Sequence, residues 1–519
     1  MPHSVSPAAS PATEDEVLHD APTEAPPNGN ESQGSDASST TIPMEVEEDS
    51  PAPAVKQEVN LENLFDDDDD DDEGEFALSS SPADKVDSSP ALQIPLPTAA
   101  TYADPDVMRA YYQRLFPFRY LFQWLNHSVS PTNDFGHREF AFTLPNDAYI
   151  RYQAFATGDL LKKEVLRLNP SRFEIGPVYT TNPRDRKTLR KASTFRPLAK
   201  ELVFDIDLTD YDEIRTCCAK ANICHKCWSF VTMAIKVVDT ALRDDFGFKH
   251  IMWVYSGRRG AHAWVCDKKA REMDDHRRRA VAGYLEVIKG GSGVTGKKVN
   301  VKRPLHPHIS RSLDILKEHF QGDILADQDP WLEHDKSERL LQLLPDKSLN
   351  DSLRKKWESA PHRSSASKWV DIDTLAKTGA SRSLDAKALL EAKQDVVLEY
   401  TYPRLDVEVS KHLNHLLKSP FVIHPGTGRV CVPIDTRKLE QFDPLGVPTV
   451  TELLGEIDAW DDTHKSNSPA NDAKRLQDYE KTSLKPYIEV FRAFAAAVMK
   501  DEKGVKREHE SAGSDAMEF

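Results

Sequence analysis

Asp205 and Asp207 stand one residue apart inside the run ELVFDIDLTDYDEIRTCC at 201–218. Leu202, Val203, Phe204, Ile206 and Leu208 make that run apolar and strand-prone. In a strand, residues i and i+2 share one face, about 6.5–7 Å apart. Two carboxylates there would repel each other, and burying them without a partner is costly. One account is a pair of acids at an exposed strand end. The apolar flanks on both faces weigh against it. The other account is a divalent-metal site, because carboxylate oxygens suit Mg²⁺ or Mn²⁺. A same-face pair can bridge two ions about 4 Å apart, the arrangement used in two-metal phosphoryl transfer. Asp-x-Asp alone is a common pattern, so it needs company.

Company comes from WVYSGRRGAHAWVCD at 253–267. Gly257 and Gly260 allow a tight turn and close approach to a ligand. Arg258 and Arg259 offer forked donors for phosphate oxygens, and Ser256 and His262 add further polar contacts. Alone this reads equally as a basic surface hairpin. Paired with an acidic metal site, a triphosphate–metal pocket accounts better for both. The run CCAKANICHKC supplies Cys217, Cys218, Cys224 and Cys227 within eleven positions. Four thiolates match a tetrahedral, fully ligated and therefore structural Zn²⁺ site. His225 could replace one of them, and reduced cysteines packed as small apolar residues are the alternative. Cys266 and Cys431 fall in strand-like runs and read as core. GSGVTGKK at 291–298 imitates a P-loop, but Lys298 stands where Ser or Thr should meet Mg²⁺. It reads instead as a basic loop able to touch nucleic-acid phosphates.

These residues need positioning elements. DPDVMRAYYQRLFPFRYLFQWL, 104–125, reads as helical, and HREFAFTLPNDAYIRYQAF as two strands about a turn at Pro145–Asp147. A strand in KELVFDIDLTD, the cysteine insert, a helix over 227–248 and a strand over 250–257 form an α/β crossover unit. Residues 311–395 read as a helical insertion. Strand patterns return in PRLDVEVS (403–410) and GRVCVPID (428–435). The expected organisation is therefore a tail over 1–100 and a first catalytic part over 101–310 that contains the zinc motif. The insertion 311–395, a second catalytic part with C-terminal helices over 396–500 and a polar tail over 501–519 follow.

The formal charge of the 519-residue chain is −17, which by itself argues against nucleic acid. Its distribution reverses that. Residues 1–100 hold 24 acids against Lys56 and Lys85, a net −22, so the remainder carries +5. That first segment has only Phe65 and Phe76 as aromatics and reads as disordered. Asp66–Asp72 is a solvated block, or part of a partner-docking stretch over 61–80. No apolar run is long enough to span a bilayer, no secretory leader is expected, and six cysteines make no disulfide scaffold.

ELVFDIDLTDY, the four-cysteine insert, WVYSGRRGAHAWVCD and PRLDVEVSKHLNHLLKSPFVIHPGTGRVCVPID together resemble the catalytic small subunits of eukaryotic DNA primases, in the archaeo-eukaryotic primase superfamily. The resemblance runs from about residue 104 to about 497. It implies the mixed α/β catalytic fold of that superfamily. It implies that Asp205, Asp207 and Asp406 hold two catalytic Mg²⁺ or Mn²⁺ ions. Ser256, Arg258, Arg259, His262, Lys418 and His424 match nucleotide contacts, and Arg151 and Glu139 match positions near the active site, Glu139 in initiation. Cys217, Cys218, Cys224 and Cys227 match the ligands of one structural Zn²⁺.

The activity implied is synthesis of short RNA primers from ribonucleoside triphosphates on a single-stranded DNA template, in the nucleus. The implied partners are an iron–sulfur large primase subunit and the catalytic and accessory subunits of DNA polymerase alpha. Rival readings are a damage-bypass primase–polymerase, a non-catalytic zinc-bearing scaffold and a P-loop ATPase. A complete carboxylate triad argues against the scaffold, and Lys298 against the ATPase.

Overall fold

A computed structural model describes residues 102–515, apart from 289–297, 300, 380–383 and 466–475. The acidic tail, its docking stretch and nearly all of the GSGVTGKK segment lie outside the described residues.

The aromatic N-terminal stretch forms two helices rather than one, Pro105–Arg114 and Phe118–Asn126. Pro117 between them has no N–H to continue the first helix. Then come β1 (Arg138–Thr143) and β2 (Tyr149–Gln153), joined by the expected turn, in which the Ala148 carbonyl accepts from Leu144 N at 2.9 Å. With β3 (Arg172–Tyr179) and β4 (Pro197–Ala199) they make an antiparallel sheet in the order β2-β1-β3-β4.

The second sheet carries the chemistry. It contains β5 (Leu202–Asp207), β6 (Ile251–Tyr255) and β7 (Gly260–Val265). Two short strands come from far down the chain: β8 (Leu417–Lys418) joins the edge of β3, and β9 (Pro433–Ile434) joins β6. The second sheet thus runs β5-β7-β6-β9, with every neighbouring pair antiparallel. β5 and β6 are parallel to each other through the helix His225–Asp244, as the crossover reading requires, but β7 is inserted between them. That helix is apolar around most of its circumference. It packs on β5 on one side and on the helices Pro307–His319 and Phe320–Gln328 on another, the setting such a helix needs.

From Pro307 to Thr401 the described residues are helices and connections with no strand. The expected strand at 403–410 does not form. Asp406 makes one bridge to Asp205, and the chain then turns into the short helix Glu408–Lys411. Pro403 cannot donate to a ladder, and the Asp406 carboxylate accepts from Glu408 N at 3.0 Å, which favours the turn. The strand expected over 428–435 is reduced to β9 and two bridges. The last helix, Lys485–Asp515, continues through the residues read as a polar tail. Its Phe491 packs edge-on against Trp124, which itself meets Trp264 of β7. The start of the last helix is therefore tied to the sheet that bears the aspartates. Among the described residues no helix is long and apolar enough to cross a membrane.

Candidate active site

β5 places Asp205 opposite His262 of β7, and Asp207 opposite Gly260. Asp406 N donates to the Asp205 carbonyl at 3.2 Å, so a residue two hundred positions away is fixed by backbone beside the pair. Asp205, Asp207, Asp210 and Asp406 line one cavity of about 480 Å³, with Thr209, Ile288, Lys298, Arg404 and Leu405. Burial, then the charges of Asp207 and Asp406, push Asp205 up to about 7. The same causes push Asp210 up to about 6. Lys298 offsets little of this field, because it is paired with Glu213. Asp207 is drawn aside: Arg259 Nε donates to its two oxygens at 2.8 and 2.7 Å, and Thr209 N and Oγ1 each donate at 2.9 Å. Hard oxygen donors whose negative potential outweighs the neighbouring cations fit divalent ions.

The basic turn follows from two glycines. Gly257 has φ of 90°, and a Cβ there would stand 2.5 Å from the Cβ of His424. A Cβ on Gly260 would stand 2.0 Å from the Ile206 carbonyl oxygen. Only glycine lets the turn lie against both β5 and the hairpin that carries His424. Ser256 Oγ accepts from Gly260 N at 3.1 Å, and Thr427 Oγ1 donates to the Gly257 carbonyl at 2.7 Å. Burial and the Lys418 cation hold His262 down to about 3, and burial with Lys418 and Arg258 does the same to His424. Both rings are therefore neutral donors or acceptors, His262 lying 3.5 Å from Asp205. Lys418 also acts on Asp205, so the structure gathers Asp205, His262, Lys418, His424 and Arg258 around one region. Arg259 engages Asp207 through Nε, and its side chain stays 36% exposed.

Glu139 and Arg151 do not line the carboxylate cavity. They form their own cluster on the first sheet. Glu139 is fully buried and accepts from Arg151 Nε and Tyr152 N at 3.1 Å and from Tyr179 OH at 3.0 Å.

Cys217, Cys218, Cys224 and Cys227 bring their sulfurs within 4.8 Å of one another, the compactness a tetrahedral thiolate site requires. Among the described residues this is the one such compact group; the aspartates are more widely spaced. His225 points away, to Asp443 at 3.0 Å. Gln328, ending the helix Phe320–Gln328, donates to Cys217 Sγ at 3.4 Å and accepts from Thr216 N at 2.9 Å. Arg215 Nη1 lies 3.8 Å from Cys227 Sγ.

Two charged cavity residues escaped the reading of the sequence. Asp210 sits on the short turn Leu208–Tyr211 beyond β5, and in DLTDYD it looks like any surface acid. Arg404 follows Pro403. Its side chain is 9% exposed, its Nη1 donates to the Asp210 carbonyl at 2.8 Å, and its Nε and Nη2 are buried without a hydrogen-bond partner. Buried donors without a partner are a signal that only the fold reveals.

Comparison with known proteins agrees with this geometry. The family described as DNA primase small subunit matches residues 204–436. The DNA primase small subunit of Schizosaccharomyces pombe is 56% identical over 422 residues, covering 79% of this chain and 93% of the relative. That of Saccharomyces cerevisiae is 46% identical, covering 78% and 94%. That of Drosophila melanogaster is 40% identical, covering 77% and 92%. With carboxylates, basic turn and thiolates in place along a nearly full-length match, the chain belongs to the DNA primase small subunit family.

Proposed function

We propose that this chain makes short RNA primers on single-stranded DNA by template-directed nucleotidyl transfer from ribonucleoside triphosphates. One observation carries the reading: β5 and β7 set Asp205 and Asp207 against the basic turn, and the backbone bridge adds Asp406. Asp205, Asp207 and Asp406 would hold two Mg²⁺ or Mn²⁺ ions. Divalent ions there supply charge stabilisation to the attacking and leaving oxygens of an in-line displacement. Arg258, Lys418, His424, Ser256 and His262 bind and orient the triphosphate, with neutral histidines donating to phosphate oxygens. Arg259 holds Asp207 in place and shares its charge. Arg404, which lines the same cavity and bonds the Asp210 carbonyl, adds a cation beside the acids. Positioning and electrostatics dominate such a transfer. Glu139 and Arg151 would serve initiation, when two nucleotides must be held together. The thiolates would hold one Zn²⁺ that staples the insert to Gln328 and has no part in the chemistry.

The relatives' designation as small subunits supports a larger partner subunit. We extend this to an iron–sulfur large subunit and the polymerase alpha catalytic and accessory subunits, acting in the nucleus. The test supplies poly(dT), ATP and Mg²⁺ or Mn²⁺ to the purified chain, with Asp205→Ala and Asp406→Ala beside it. Metal-dependent oligoadenylates lost in both variants are expected. A folded parent that neither initiates nor extends a supplied RNA primer would refute the reading.

A further inference from the structure

Residues 180–196 leave the first sheet and return to it. Thr180 N donates to the Arg196 carbonyl at 3.1 Å, closing the excursion. Within it Arg184, Arg186, Lys187, Arg190, Lys191 and Arg196 face a single acid, Asp185. This net +5 equals the net charge of everything after residue 100. All six cations are exposed, and among the described residues none has an acidic partner within ion-pair distance. A basic run is ordinarily just a solvated face. Here it lies on rings. Phe195 stacks on Tyr179 at 4.1 Å and 5°, and Tyr152 stands 6.1 Å from Phe195. The Arg186 guanidinium covers the Tyr152 ring at 3.9 Å. Tyr152 itself holds φ of 60°, a left-handed conformation that a bulky side chain rarely adopts. Tyr152 and Tyr179 both bond Glu139, and the segment passes through β4 directly into β5.

We propose that the 180–196 segment and its ring cluster form a binding surface for single-stranded nucleic acid, the template strand as it passes the site. A row of cations without acidic partners follows a phosphate backbone, and the half-buried Phe195 ring, backed by buried Tyr179, accepts a base of any sequence by stacking. The template's identity rests on the primer-synthesis reading; the surface itself does not.

The test measures fluorescence anisotropy of labelled (dT)20 and (U)20 with the full chain between 50 and 300 mM salt, without nucleotides. In the triple variant Lys187→Gln, Arg190→Gln, Lys191→Gln three phosphate contacts are lost. The slope of log affinity against log salt becomes shallower by about 2, and affinity at 0.1 M salt falls on the order of 100-fold. Phe195→Ala weakens binding about tenfold and leaves the slope unchanged. Thermal unfolding of the triple variant stays at the parent value, because the replaced groups are exposed. Parent-like affinity and slope in the triple variant would overturn the surface. A larger loss on (U)20 than on (dT)20 would overturn the template assignment in favour of the product strand. A parent that shows the expected binding losses yet incorporates no ATP on poly(dT) would refute primer synthesis and leave the surface standing.

Discussion

Asp205→Asn separates what the carboxylate does for folding from what it does for chemistry. In the metal-free protein Asp205 is taken from water by burial and sits beside Asp207 and Asp406, and its ionisation midpoint moves from the ordinary 3.8 to about 7. Ionising it in the folded state therefore costs about 4 kcal/mol more than in the unfolded chain. The side chain is 27% exposed, and solvent screening brings the expected figure to about 2 kcal/mol. The folded state holds this proton more tightly than the unfolded one, so stability falls as pH rises from about 4 to about 7 and is flat above. Asparagine has no such charge. In EDTA, urea unfolding at pH 8 should find Asp205→Asn more stable than the parent by about 2 kcal/mol, and the gain should shrink towards zero near pH 4. Saturating Mn²⁺ should stabilise the parent and not the variant, and nucleotide transfer by the variant should be lost. A variant less stable than, or equal to, the parent at pH 8 would refute the argument that burial and neighbouring acids disfavour this charge in the folded state.

Three further outcomes follow from the same structure. Arg404→Met should leave unfolding free energy within about 1 kcal/mol of the parent, because the buried guanidinium leaves two nitrogens unpartnered, yet raise the nucleotide KM at least about tenfold; a loss of folding with unchanged KM would contradict it. Glu201 is fully buried; burial pushes it up, and the Arg138, His127 and Arg271 cations more than reverse this, to about 2. Its stabilisation, about 3 kcal/mol, is present above about pH 4.5 and drains away towards pH 2. Glu201→Gln should flatten the acid limb of a stability–pH curve, and an unchanged limb would place acid sensitivity elsewhere. Metal analysis should find one zinc per chain, and its removal by chelation should lower Tm by more than about 5 °C and expose Gln328 to exchange; a chelated protein melting as before would show that the thiolates need no ion.

The strands β1, β2, β5 and β6 and the helix after the cysteines were readable because each is a local pattern with a clear stop. The thiolate cluster was readable for the same reason, since four ligands in eleven residues cannot lie far apart. What escaped reading depended on distant partners. β7 slips between β5 and β6, an order no local pattern encodes. Asp406 looked like part of a strand because Val407 and Val409 alternate around it, whereas Pro403 and a side-chain cap leave one bridge. Asp210 and Arg404 gain meaning only when the turn after β5 meets the chain two hundred residues later. Arg259, read as a phosphate contact, also holds Asp207 through its Nε, a second role that its place in the sequence does not announce.

The single bridge between Asp205 and Asp406 has a kinetic side. It closes a loop of about two hundred residues, at an entropic cost of roughly 5 kcal/mol. During synthesis the first two aspartates leave the ribosome long before the third, so a nascent chain has no complete acidic centre until the insertion has emerged and folded. A product ending before residue 400 would keep β5, β7 and the thiolates and still lack Asp406, Lys418 and His424 together. The amide of Asp406 is thus a one-site gauge of assembly. Its hydrogen-exchange rate reads how often the late segment lets go, and with it how often the whole centre comes apart.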